Sequence, residues 1–263
     1  MLELDPRRLI QTHFGCRPDD LARSVVLSTH WPLESFAKLW DDEPEEHNGW
    51  FAAVTGRYRG RELTVVLTHN GACRVGQAML TLITGGAERF LLIGRSSGLY
   101  DEMRLGDVAV VRTSICGEGY SRYHGADHFL DDPFGWRVTI DESLVLQLEA
   151  GLKERTGEFD VGVHSVRTFS ADSMLAQDRE LSEYVRIKGG HIIDGETSAA
   201  FATARIHQVL AASLQCVIAL PLADKPLFGA FGGEDSRRLE KTHLKMSALA
   251  LDAAAVLDAY EPD

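Results

Sequence analysis

The stretch HIIDGETSAAF (residues 191–201) places two carboxylates, Asp194 and Glu196, where an apolar run gives way to an alanine-rich segment. Acids at the start of a helix are electrostatically favoured, because the first N–H groups lack partners, so capping explains one or both. A carboxylate heading a buried helix can also accept two hydroxyl hydrogen bonds from a sugar diol, which makes Glu196 a candidate for ribose recognition. IGRSSG (93–98) offers Arg95, Ser96 and Ser97 in a small-residue turn able to surround an anion or a sugar, although plain turns share this composition. VVLSTHWPLES (25–35) runs from a strand toward a helix with Pro32 in its first turn, a junction that often seats anions, yet it carries Glu34 and no glycine. LADKPLFG (222–229) sets Asp224 and Lys225 just after an apolar run. An acid there can protonate a leaving group if burial raises its pKa, and a surface salt bridge accounts for the pair equally well. In ICGEGYSRYHG (115–125), Glu118 and His124 read as solvated loop residues.

These groups need a scaffold, and the apolar pattern supplies one. Runs rich in β-branched residues recur at 24–28, 62–69, 89–94, 107–114, 160–168, 190–195 and 215–222, as expected of strands buried on both faces. Helical patterns lie between several of them, at 73–86, 141–157 and 196–212, and a last one covers 236–260. Alternating strands and helices imply an α/β fold, with a central mixed, twisted sheet between helical layers. No linker, repeat or low-complexity tract interrupts the chain, so residues 1–263 are expected to form one domain. The segments 41–49, 117–137 and 223–235 are left as long loops.

A net charge of −12 disfavours a nucleic-acid backbone or an anionic membrane as partner. The four cysteines are widely separated, with no CxxC pair, so reduced and mostly buried thiols are expected rather than a zinc site or a disulfide framework. No stretch approaches the length of a membrane span and the amino-terminal segment lacks a signal-peptide core, which points to the cytoplasm. GxSxG, Walker, GxGxxG and HExxH motifs are all missing, so the hydrolase, ATPase, dehydrogenase and zinc-protease readings lose their main support.

Taken in order, HFGCRPDDL (13–21), TGRYRGRELTVV (55–66), IGRSSG followed by LGDVAVV (105–111), EGYSRYHG (118–125), SADS (170–173) and DGETSAAF (194–201) resemble the nucleoside phosphorylase family. That family includes uridine phosphorylase, hexameric purine nucleoside phosphorylase and the related nucleosidases, and the opening segment is most similar to uridine phosphorylase. The resemblance implies a three-layer α/β/α sandwich that cleaves a nucleoside N-glycosidic bond and transfers the pentose to phosphate. It implies phosphate as co-substrate, no cofactor or metal, and a homo-oligomer, either a dimer or a hexamer built as a trimer of dimers.

By the same resemblance, Glu196 would hold the ribose 2′ and 3′ hydroxyls and His13 would meet the 5′ hydroxyl in a neighbouring subunit's pocket. Asp224 would protonate the departing base with help from Arg237 or Arg238. Gln177 and Arg179 would read the base beside Met174, which stands where the family stacks an aromatic ring, and Gly195 replaces the family's methionine. The phosphate loop falls on HWPLE, so His30 stands for a glycine and Glu34 for an arginine; the family's other two phosphate arginines fall near Gly49 and on Leu92. Arg95 occupies the place of a small serine or threonine, where it could compensate in part or pair with Glu34. The altered seat leaves two alternatives beside phosphorolysis: hydrolysis, with His30 or Glu34 managing a water, and a non-catalytic nucleoside-binding or assembly protein.

Overall fold

The computed structural model describes residues 5–123, 132–157 and 160–262, and His124 lies outside them. Ten strands form one mixed sheet: β1 (Ser24–Ser28), β2 (Glu45–Asn48), β3 (Ala52–Tyr58), β4 (Arg61–Leu67), β5 (Arg89–Gly98), β6 (Val108–Gly117), β7 (Arg137–Thr139), β8 (Val163–Ala171), β9 (Ile192–Asp194) and β10 (Leu210–Ala219). Six helices accompany them: α1 (Pro6–Phe14), α2 (Ala72–Thr84), α3 (Glu142–Thr156), α4 (Arg179–Ile187), α5 (Thr197–His207) and α6 (Gly233–Ala259).

The expected layering is present. In β1, Val25 and Leu27 pack with α1, α2 and α5 on one face, while Val26 packs with α3 and α6 on the other. A strand apolar at every position is what burial on both faces demands. The sheet is also more than an open layer. β10 pairs in parallel with β5 and antiparallel with β6, and β6, β8, β9 and β5 are hydrogen-bonded in turn, so five strands close into a ring. β1, β4, β3 and β2 extend the sheet from β5.

Several local expectations change. Pro32 precedes a single 3₁₀ turn, Leu33–Ser35, and no α-helix follows. The segment 41–49 contributes the edge strand β2, which pairs with β3. Helices α1 and α4 went unread because their sequences are mostly polar, yet both are well capped. The Asp5 and Asp178 carboxylates accept from the backbone N–H of Arg7 and Leu181, and Gly15, at φ 74°, closes α1. The cysteines are free thiols as expected, with Cys16, Cys116 and Cys216 buried and Cys73 exposed. Among the described residues no helix is long and apolar enough to cross a membrane.

Candidate active site

A cleft opens at the carboxyl ends of β1, β5 and β10, where open α/β sheets usually bind ligands. Its inner chamber, about 30 Å³, is lined by His30, Arg95, Ser96, Gln177, Glu196 and Ile218, with Met174, Gly195 and Leu227 completing the wall. Residues from six separate parts of the chain therefore meet at one end of the sheet.

Asp194 and Glu196 divide their work. Asp194 is fully buried at the end of β9 and accepts hydrogen bonds from Ser170 Oγ at 2.6 Å, Thr168 Oγ1 at 3.1 Å, the Thr197 hydroxyl and the Thr197 N–H at 3.0 Å. It is the cap and anchor of α5. Glu196 makes no capping bond. Its Oε1 instead accepts from the Gly71 N–H at 2.9 Å, and its side chain lines the chamber. Burial, then the charge of Asp194, push the Glu196 pKa up to about 7, against the lowering effect of the Gly71 and Gly195 backbone. Gly71 reaches this position at φ 116°, a conformation that excludes ordinary L residues although the space around it is open.

Around Glu196 stand groups with capacity to spare. Ser96 Oγ is buried without a hydrogen-bond partner, as a sugar-hydroxyl contact would be before ligand arrives. Gln177 is held by its carbonyl, which accepts from Ser97 Oγ at 2.8 Å, so its amide nitrogen is the end left for a ligand. Thr29 donates to the Ile93 carbonyl at 3.1 Å and lies 2.7 Å from His30 Nδ1. With that hydroxyl committed, His30 is the donor at Nδ1 and carries its lone pair on Nε2. Burial, then the Arg95 guanidinium, push the His30 pKa down to about 3, so its ring is neutral.

Arg95 lies over the Trp31 ring, 5.7 Å from its centroid. Trp31 is fixed in turn by its Nε1–H, which donates to the His243 carbonyl at 2.9 Å, and by the His243 ring at 5.4 Å. Beyond Arg95 the cleft widens into an outer chamber of about 490 Å³, walled by Cys216, Phe228, Phe231, Leu239 and His243 together with Met174, Ile218 and Leu227.

The remaining expected residues lie elsewhere. Asp224 sits outside the cleft with its side chain 92% exposed and paired with Arg179 at 3.1 Å, so it does not face a departing base there. Arg179 is thereby taken from base reading to a surface pair. Lys225 pairs with Asp235 at 2.6 Å. Arg237 is exposed on α6 and does not line the cleft, while Arg238 is buried and fixed to Asp107 at 2.8 Å and to the Leu105 carbonyl at 3.1 Å. Glu34 faces a separate groove with Trp40, Pro44 and Glu46, and the expected pair with Arg95 does not form because the 3₁₀ turn carries Glu34 away from the cleft. Glu118 is buried, not solvated, and accepts from the Ser121 and Ser198 hydroxyls, which ties its loop to α5.

His13 is buried outside the cleft, with Nδ1 3.0 Å from the Leu9 carbonyl and Nε2 3.3 Å from Gln77 Nε2, beside the exposed Trp50. The lost phosphate arginines have a physical account. Leu92 is a core residue of β5, and a Cβ on Gly49 would come within 2.5 Å of the His13 carbonyl oxygen, so neither position can hold an arginine in this backbone.

The sequence pattern of the phosphorylase superfamily matches residues 24–260. The chain belongs to the phosphorylase superfamily. Among its relatives in the superfamily, a uridine phosphorylase from Thermococcus kodakarensis is 26% identical over 175 residues, which is 65% of this chain and 58% of that protein. The chain thus spans less than two thirds of that curated relative. Solved structures share the superfamily fold. A uridine phosphorylase from Vibrio fischeri superposes with a TM-score of 0.74 at 19% identity, covering 92% of this chain and 95% of that one. A purine nucleoside phosphorylase from Toxoplasma gondii in complex with immucillin-H gives 0.71 at 17% identity, covering 93% and 95%. A futalosine hydrolase mutant from Helicobacter pylori gives 0.66 at 16% identity, covering 88% and 97%.

Proposed function

We propose that the protein cleaves the N-glycosidic bond of a ribonucleoside. The observation that carries this reading is Glu196, a buried carboxylate on the chamber floor beside the unpartnered Ser96 hydroxyl and the held amide of Gln177. Glu196 accepts from the 2′ and 3′ hydroxyls, and Gln177 donates to the base. The C1′–N bond breaks with its electron pair leaving on the base, which takes up a proton, while an oxygen nucleophile bonds to C1′. Carboxylate charge near the sugar favours the oxocarbenium-like transition state.

Pentosyl transfer to phosphate uses Arg95 as the anion's partner. Hydrolysis is the second reading, supported by a specific observation: His30 is neutral and Glu34 lies outside the cleft, so Arg95 is the one guanidinium lining it among the described residues. A divalent anion calls for more charge-assisted partners than that. In the hydrolytic reading, His30 orients a water through its Nε2 lone pair, since a pKa of about 3 makes it a poor base. Incubating the protein with a nucleoside panel, with and without phosphate, and separating free base, ribose and ribose 1-phosphate decides the matter. Strict phosphate dependence supports transfer, phosphate-independent base release supports hydrolysis, and release of no base from any nucleoside removes the proposal.

A further inference from the structure

The outer chamber and Arg95 together ask for a ligand that an ordinary nucleoside does not supply. Arg95 is half-buried, lines both chambers, and makes no hydrogen bond or ion pair with any described residue; its one recorded contact is the face of Trp31. A guanidinium left without an acceptor inside a cleft is costly to maintain unless a ligand completes it. The groups around it add no further cation. Burial and the arginine itself push His30 down to about 3 and lower His243, while burial pushes the Cys216 thiol up to about 12, so all three are neutral. Of the acids that share its walls, Glu240 is exposed at the outer rim and Glu196 is turned to the Gly71 N–H, and neither pairs with Arg95. The seat therefore carries a single positive charge, which balances a carboxylate better than a phosphate dianion.

The walls beyond it are apolar. Ile218, Leu227, Phe228, Phe231 and Leu239 surround a chamber continuous with the inner one through Met174, Ile218 and Leu227. Phe228 holds a left-handed conformation at φ 65° and is 71% exposed, an unusual state for a bulky residue. The outer chamber, about 490 Å³, falls within the roughly 300–1,000 Å³ usual for small-molecule sites, whereas the inner one is much narrower.

The geometry points to a substrate whose leaving group carries an apolar, acidic extension: the extension fills the outer chamber and its carboxylate pairs with Arg95 between His30 and His243. This rests on the nucleoside-cleaving reading in its hydrolytic form, and it takes Arg95 away from phosphate.

The test is calorimetric titration of the intact protein at fixed ionic strength with acetate, butanoate, hexanoate, benzoate, benzamide and inorganic phosphate. Affinity is expected to climb along the aliphatic acids by about fourfold for each added methylene placed on apolar wall. Benzamide should bind at least about tenfold more weakly than benzoate, since it lacks the charge-assisted pair. Arg95→Met should remove benzoate binding and Arg95→Lys should weaken it. The acid series on the wild-type protein decides the question even if the variants fold poorly. Phosphate that binds more tightly than benzoate and displaces it, or acids that bind with no gain along the series, would overturn the assignment. A parallel assay of base release from a purine riboside with and without a carboxyalkyl arm on the base separates the two claims. Cleavage of the plain riboside alone, without acid binding, sinks the acidic extension and leaves the cleavage reading standing. Acid binding through Arg95 with neither riboside cleaved sinks the cleavage reading and leaves the carboxylate seat.

Discussion

Replacing Glu196 by glutamine should make the protein more stable and nearly inactive, and both effects can be worked from its surroundings. The carboxyl is buried beside Asp194, which moves its pKa from the ordinary 4.5 to about 7. In the unfolded chain Glu196 releases its proton near the ordinary value; in the folded protein it keeps it until about 7. The folded state thus binds more protons between these values, and stability falls as pH rises through that window. At roughly 1.4 kcal/mol per tenfold change in proton affinity, the loss above pH 7 reaches about 3 kcal/mol as an upper limit. Glutamine keeps an oxygen for the Gly71 N–H and removes the charge. Differential scanning calorimetry at pH 8 should then show the variant melting higher than the wild type, by up to about 6–12 °C at roughly 2–4 °C per kcal/mol. Near pH 4 the two should melt together. In the activity assay, the loss of two charge-assisted hydrogen bonds to the sugar diol, about 1.5–3 kcal/mol each, should lower kcat/KM by roughly a hundredfold to ten-thousandfold. The wild-type efficiency should itself rise toward pH 7 as the carboxylate forms. A variant no more stable than wild type at pH 8, or one losing less than tenfold in kcat/KM, would refute the reasoning.

Gly71→Ala should cost about 1–3 kcal/mol in urea denaturation, because φ 116° is closed to alanine, and should raise KM for ribonucleosides by turning the N–H away from Glu196. Asp107→Asn removes the charge from the 2.8 Å partner of Arg238 but leaves an amide oxygen there and the 2.9 Å pair with Asp160, so it should cost about 1–3 kcal/mol at neutral pH. Burial opposes the Asp107 charge, but His164 and the N–H groups of Arg104 and Gly162 outweigh it and hold the pKa below the ordinary 3.8, so this deficit should shrink as pH falls below about that value. Asp224→Asn should leave base release within about twofold of wild type and stability within about 1 kcal/mol, as for an exposed ion pair; a tenfold loss of activity would return the residue to the site.

The layers and most strands were legible because the apolar runs are long and β-branched, and a two-faced burial requirement leaves few other readings. The ring closure was not, since pairing of β10 with both β5 and β6 is a property of strand ends brought together by the whole chain. Glu196, Ser96, Arg95, Gln177, Met174 and His30 were singled out from local junctions and from family resemblance, and the structure brings them to one cleft. His243 and Trp31 were missed because they lie 212 residues apart and carry no shared local signal. Gly71 was missed because its contribution is a backbone N–H. Asp224 and Arg179 misled for the reverse reason: a residue after a buried strand can turn outward, and a left-handed conformation at Asp224, φ 55°, does this.

Closure of five strands into a ring bears on how this protein can change. Ser97 on β5 and Cys216 on β10 are paired on both sides, Ile218 sits at the break in the β10–β5 register, and Asp194 ends β9 between β5 and β8. No free edge is available there for one strand to slide or peel without its neighbours, so amide hydrogens along this floor should exchange only when the whole domain opens. The wall formed by residues 227–231 has no such bracing. New ligand preferences are therefore far cheaper to acquire in that wall than in the floor.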